Sequence, residues 1–152
     1  MLLLDAGLAY AHFVFAFILV SAVAAEAFVL RVPVTPANAQ LLLRIDLFYA
    51  ISAVGVIIAG VSRVAWGVKG QAFYAHEPFF WAKMATFAIV GLLSIAPTRA
   101  YYRWNKLSRE PGAFAVTEAD QKSVRRWVMI EVHLLALVPL FAALMARGIG
   151  AP

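Results

Sequence analysis

Four long apolar stretches, at residues 7–30, 45–66, 79–98 and 127–146, occupy most of the chain and leave only short polar connections between them. Each is close to the ~20 residues that cross a hydrocarbon core as a helix. Lipid offers no partner to backbone N–H and C=O groups, so segments of this kind are predicted to be membrane-spanning α-helices. The third stretch is the most informative. It opens on His76-Glu77-Pro78, continues through Phe79-Phe80-Trp81-Ala82-Lys83 to Pro97, and closes on Arg99, Arg103 and Lys106. Lys83 lies about one turn inside it, where the ammonium either snorkels to the interface or faces inward toward a polar partner. Thr86, Gly91, Ser94 and Pro97 share its stripe, and a row of small or weakly polar residues suits a face packed on other helices.

The connections carry their own signals. Pro33 and Pro36 end the first helix and make a tight link to the second. Gly55 and Gly60 lie inside the second span, where another backbone could approach closely. Residues 67–77 are expected to form a loop, and residues 105–116 a longer one broken at Pro111-Gly112. Thr117-Glu118-Ala119-Asp120 looks like a helix start, with Thr117 as N-cap. That helix is expected to run amphipathically along the interface before entering the membrane at Trp127. Tyr101-Tyr102-Arg103-Trp104 forms an interfacial aromatic and basic belt.

Composition strengthens the membrane assignment. The 152 residues are 64% hydrophobic, against ~45–50% in soluble domains, and the mean hydropathy is +0.84. The fold class is therefore all-α: a single integral membrane domain, a four-helix bundle, multi-pass, with the lipid bilayer as its first partner. A net charge of +5 would suggest nucleic acid in a soluble protein, but here the basic residues gather at span ends, so no nucleic-acid partner is expected. Cysteine is absent, which excludes disulfides and thiolate metal sites and leaves any redox chemistry to a bound cofactor. No Lys or Arg precedes the first apolar run, so a cleaved signal peptide is disfavoured.

Sorting the cations by side gives an orientation. Arg31, Arg44, Arg99, Arg103, Lys106, Arg109, Lys122, Arg125 and Arg126 fall on one side; Arg63, Lys69 and Arg147, with Lys83 just inside, fall on the other. The richer side is assigned to the cytoplasm, which places both termini in the periplasm if the membrane is a bacterial inner membrane.

Charged side chains near the middle of a span cost ~2.5–3.5 kcal/mol on insertion scales, so their positions carry information. They fall into two layers. The outer layer holds His12, Arg63 and Lys83, with His76 in the loop above. The inner layer holds Glu26, Asp46, Glu131 and His133, with Arg44, Arg99 and Arg126 at similar depth. Acids and arginines near an interface commonly pair to set helix register, and the inner layer is read in that way. His12 and Glu26 are two heptads apart and lie on one stripe of the first helix. Glu131 and His133, two residues apart, point about 200° from one another.

The outer layer is different in kind. A histidine, an arginine and a lysine at one depth form a cationic pocket that suits carboxylates such as haem propionates, and a neutral imidazole can ligate iron. Depth decides which residues could share an iron. His12 and His133 stand about 15 Å apart along the membrane normal by helix rise, too far for one haem. Lys83 or His76 is the more feasible companion of His12.

A His early in the first span, Arg31 at its close, Phe-Trp-Ala-Lys opening the third and Ile-Glu-Val in the fourth form a pattern. It resembles the small four-helix bacterial membrane proteins related to the HemJ-type protoporphyrinogen oxidase and, more distantly, the membrane domain of copper-resistance D proteins. The chain looks closest to an uncharacterised sister family of these. The resemblance implies that His12 and Lys83 serve haem binding and activity, with Arg31 matching the basic residue that closes the first span. The tryptophan and glycine of the pattern's first span are absent here, and His133 stands where a proline is expected.

The combined expectation is a membrane protein binding haem b or a related porphyrin. His12 would be the metal ligand, Lys83, Arg63 and Arg31 cofactor-binding residues, and Lys83 also the candidate catalytic group. As an enzyme it would be an oxidoreductase removing electrons from a porphyrinogen, with a quinone as acceptor. The alternative is a non-catalytic accessory subunit of a respiratory or photosynthetic complex, or a homo-oligomer. A copper permease is disfavoured by the absence of Cys and the presence of only four Met.

Overall fold

The structure is a computed structural model that describes residues 2–68 and 70–149. Lys69, counted among the basic loop residues, lies outside the described residues. The described residues form helices and no strand. In chain order the helices are α1 (Leu2–Val29), α2 (Pro36–Trp66), α3 (Gly70–His76), α4 (Pro78–Leu93), α5 (Ile95–Leu107) and α6 (Glu118–Ala146). By length and composition α1, α2, the segment Pro78–Leu107 made of α4 and α5, and α6 can each cross a membrane. The all-α architecture with four spanning helices matches the pattern of apolar stretches.

The helices extend beyond those stretches because their ends are capped rather than limited by hydropathy. The Thr35 side chain accepts from Asn38 N–H at 3.2 Å and Pro36 occupies the first turn, so α2 begins nine residues ahead of its apolar run. Thr117 caps α6 in the same way by accepting from Asp120 N–H, as its position suggested. The connection expected as a loop at 67–77 contains the short helix α3, which buries Tyr74 against the Phe80 ring at 5.3 Å. Gly112 has φ +75°, the backbone that the second central position of a Pro-Gly type II turn requires.

Each spanning helix buries one stripe. On α1 it is Leu19, Ala22, Val23 and Glu26; on α2 Ala39, Leu42, Asp46, Tyr49 and Ser52; on α6 Val124, Val128, Glu131 and Leu135. The spacings of three and four residues are those of one helical face. The remaining faces keep large apolar side chains exposed, such as Phe17, Phe48, Ile58 and Leu92, which suits contact with lipid.

Packing is unequal along the bundle, and the third span changes partners at Ser94, between α4 and α5. Pro97 has no N–H to give to the Leu93 carbonyl, and the helix is interrupted at Ser94, whose hydroxyl turns back to donate to Gly91 O at 2.8 Å. Below the break α5 packs on α2 and α6, burying Tyr101 and Trp104 completely. Above it α4 leans on α6. A cavity of about 330 Å³ lies between α2 and α4, lined by Tyr49, Ala50, Ala53 and Ile57 on one side and Phe87, Ala88 and Gly91 on the other. Ser94 and Thr98 close its lower end.

One polar side chain clamps the α1–α2 connection. Gln121 Nε2 donates to Leu30 O (3.0 Å) and Val32 O (2.7 Å), while its Oε1 accepts from Val34 N–H (3.2 Å). Carbonyls left over at the end of α1 thus find their partner on α6.

Candidate functional site

At one end of the bundle α1, α2 and α4 bring His12, Arg63 and Lys83 together. His12 is half-buried, and its Nδ1 lies 3.2 Å from Val56 O on α2. A carbonyl only accepts, so this bond needs the proton on Nδ1 and leaves Nε2 with a free electron pair in the neutral ring. Gly60 gives the ring its space: a Cβ there would stand 3.4 Å from His12 Cε1. Gly55 does the same one turn away, where a Cβ would fall 2.5 Å from the Phe15 ring. The two glycines therefore admit α1 side chains rather than a second backbone.

Lys83 and Arg63 are electrostatic neighbours of the His12 imidazole and of each other. The Lys83 ammonium lies 5.4 Å from the centroid of the Phe80 ring, within cation–π range. Lys83 is half-buried and within electrostatic reach of both His12 and Arg63. Arg63 Nε is buried with no hydrogen-bond partner. Among the described residues the ion pairs are Arg103–Asp120 and Lys122–Glu118, so neither Arg63 nor Lys83 has a carboxylate at ion-pair distance.

Two residues expected near this group are elsewhere. Arg31 stands about 28 Å along the helix rise from His12, exposed at the far end of α1 with its guanidinium 4.5 Å over the Phe28 ring. His76 is exposed on α3 and directs Nδ1 to Ala72 O within its own helix.

The opposite half of the bundle holds Glu26, Asp46 and Glu131, which are 3%, 5% and 2% exposed. The expectation that these acids pair with Arg44, Arg99 and Arg126 is overturned, because all three arginines are exposed and none bonds an acid of this layer. The reason is angular. Arg44 precedes Asp46 by two residues, about 200° around the helix, so burying one turns the other outward. Hydroxyl groups take the place of the cations. Tyr101 OH donates to Glu26 Oε2 at 3.2 Å and Thr98 Oγ1 to Asp46 Oδ1 at 2.8 Å. Tyr49 from α2 and Glu131 from α6 are close enough to interact electrostatically.

Sequence reasoning placed the three acids at one depth but missed their convergence. The signal was present: each occupies the same three-and-four spacing as the core residues around it, as Glu131 does with Val124, Val128 and Leu135. His133 falls off that stripe, is exposed, and directs Nδ1 to Met129 O at 2.6 Å. Another buried carboxylate, Glu77 at the start of α4, is 2% exposed with neither oxygen hydrogen-bonded.

No curated protein and no solved structure matches the chain. A family's sequence model does, over residues 4–150. The chain belongs to the DUF2214 family, described as predicted membrane proteins.

Proposed function

We propose that this protein binds a b-type haem or related porphyrin in the membrane, against the His12–Arg63–Lys83 group. The observation that carries the reading is the orientation of His12. Its Nδ1 is engaged by the Val56 carbonyl, the arrangement by which metal-binding histidines commonly present Nε2 as ligand. The donor set fits the group: an imidazole nitrogen for iron, with a buried and unpartnered Arg63 Nε and the Lys83 ammonium for propionate carboxylates. Bound haem would supply one-electron chemistry. His12 holds the metal, Arg63 and Lys83 neutralise the carboxylates, and Phe80 screens Lys83 from lipid. The sequence resemblance to the HemJ-type oxidases implies the same residues, His12 and Lys83, and on it the substrate would be a porphyrinogen, the acceptor a quinone and Lys83 the group that takes a proton. The membrane would be a bacterial inner membrane with both termini outside.

The test is a visible spectrum of the purified protein. A Soret band with b-type peaks on reduction is expected. A colourless protein that remains colourless after incubation with hemin would overturn the reading.

One observation favours a second reading, an accessory subunit of a larger membrane complex. His133 is exposed near the middle of α6, and a polar ring at membrane depth is better accommodated against another protein than against lipid. Isolation of the chain from mild detergent together with other subunits would support this reading.

A further inference from the structure

The three buried carboxyl groups have no part in the haem reading, and their surroundings say what they can bind. Glu26 comes from α1, Asp46 from α2 and Glu131 from α6, and each lies within the electrostatic reach of the others. The titratable groups that face them are Tyr49 from α2 and Tyr101 from α5, with the hydroxyls of Ser94 and Thr98 beside them. Among the described residues no cation is bonded to them, and Arg44, Arg99 and Arg126 are exposed.

Three carboxylates cannot all carry charge in such a place. Mutual repulsion and the loss of hydration both oppose it, and no positive partner offsets them. Two oxygens mark where the missing charge balance enters: Glu26 Oε1 and Glu131 Oε1 are buried and accept no hydrogen bond. A carboxylate oxygen in that position is costly, whereas a protonated carboxyl becomes a donor and can bond its neighbour. Among the described residues no three acid or imidazole side chains are gathered closely enough to hold one metal ion. A proton needs only one oxygen, whereas a cation needs several ligands at a single point.

We propose that Glu26, Asp46 and Glu131 form a proton-binding cluster at membrane depth that exchanges through the cavity between α2 and α4. The cavity runs from Ile57 and Phe87 past Gly91 to Tyr49, Ser94 and Thr98. One of the hydroxyls at its lower end is hydrogen-bonded to an acid, Thr98 Oγ1 to Asp46 at 2.8 Å, and Tyr49 lies within electrostatic reach of Glu131. At ~30 Å³ of liquid volume per water, its 330 Å³ has room for a short water chain. A proton leaving Asp46 therefore crosses one hydroxyl, that of Thr98, to reach the cavity.

Infrared difference spectroscopy of the protein in lipid nanodiscs tests this. A carboxylic-acid C=O band is expected at neutral pH, shifted in D2O, reduced in each of Glu26→Gln, Asp46→Asn and Glu131→Gln and lost in the triple variant. Circular dichroism and elution volume check that the variants fold. Absence of the band in wild type, or a band that none of the variants reduces, would overturn the proposal. So would its disappearance on adding sodium or calcium chloride, which would make the cluster a cation site. A Cβ at Gly91 meets nothing within 4 Å, so Gly91→Phe can fill the cavity without displacing a neighbour's backbone. It should slow deuterium exchange of the band at least tenfold, and an unchanged rate would overturn the cavity as the route. The band is read whether or not the protein is coloured, so failure of the haem reading leaves this test intact.

Discussion

Tyr101 on α5 and Glu26 on α1 meet at 3.2 Å across 75 residues of sequence, the tyrosine hydroxyl donating to Oε2 in a fully buried contact. The other Glu26 oxygen has no hydrogen bond. Tyr101→Phe keeps the ring and strips Glu26 of this bond, so a loss of about 1–3 kcal/mol is expected. Tyr102, its exposed neighbour, supplies the control, and Tyr102→Phe should be neutral. Denaturant unfolding in detergent micelles would separate the two.

At the other end, His12→Ala should abolish bound haem while His133→Ala leaves it in place, because only His12 presents Nε2 beside Arg63 and Lys83. Lys83→Met keeps the approximate length of the stem and deletes the charge. It should lower haem retention or shift the midpoint potential. Equal spectra and potentials in Lys83→Met and wild type would remove the lysine from the site, leaving His12 alone.

The break at Ser94 predicts a change of shape. Pro97→Ala restores the donor to the Leu93 carbonyl and should straighten the third span, narrowing the gap between α2 and α4. The chain contains no cysteine, so spin labels on Ala53→Cys and Ala88→Cys would report that gap alone. A shorter label distance in the Pro97→Ala background is expected, and an identical one would place the cause of the break elsewhere.

Gln121 makes three hydrogen bonds to the chain between α1 and α2. Gln121→Leu preserves bulk and loses all of them, leaving half-buried carbonyls to water or to nothing. A destabilisation of about 1–3 kcal/mol is expected, read as earlier proteolysis within residues 30–35 and a lower thermal midpoint.

Orientation follows from charge sidedness. A reporter fused after Pro152 should read periplasmic and one inserted near Pro111 cytoplasmic. The reverse result would place the His12 group on the cytoplasmic side and the acid cluster on the periplasmic side.

Composition and apolar run length alone determined that this chain is a four-span helical membrane protein, because lipid leaves the backbone no alternative to helices there. Depth was legible too, since a helix rises by a fixed amount per residue. That arithmetic grouped His12 with Arg63 and Lys83, and Glu26 with Asp46 and Glu131. Azimuth was not. Arg44 and Asp46 share a depth and face opposite ways, and only packing of α1 and α5 on α2 decides which of them is inside. The expected acid–arginine pairs failed for that reason, and hydroxyls from Tyr101 and Thr98, 75 and 52 residues distant, fill their place. Pro97 was visible as a proline in a span. That α5 would pack on α2 and α4 on α6, with a cavity beside α4, depended on which neighbours were there to receive each half.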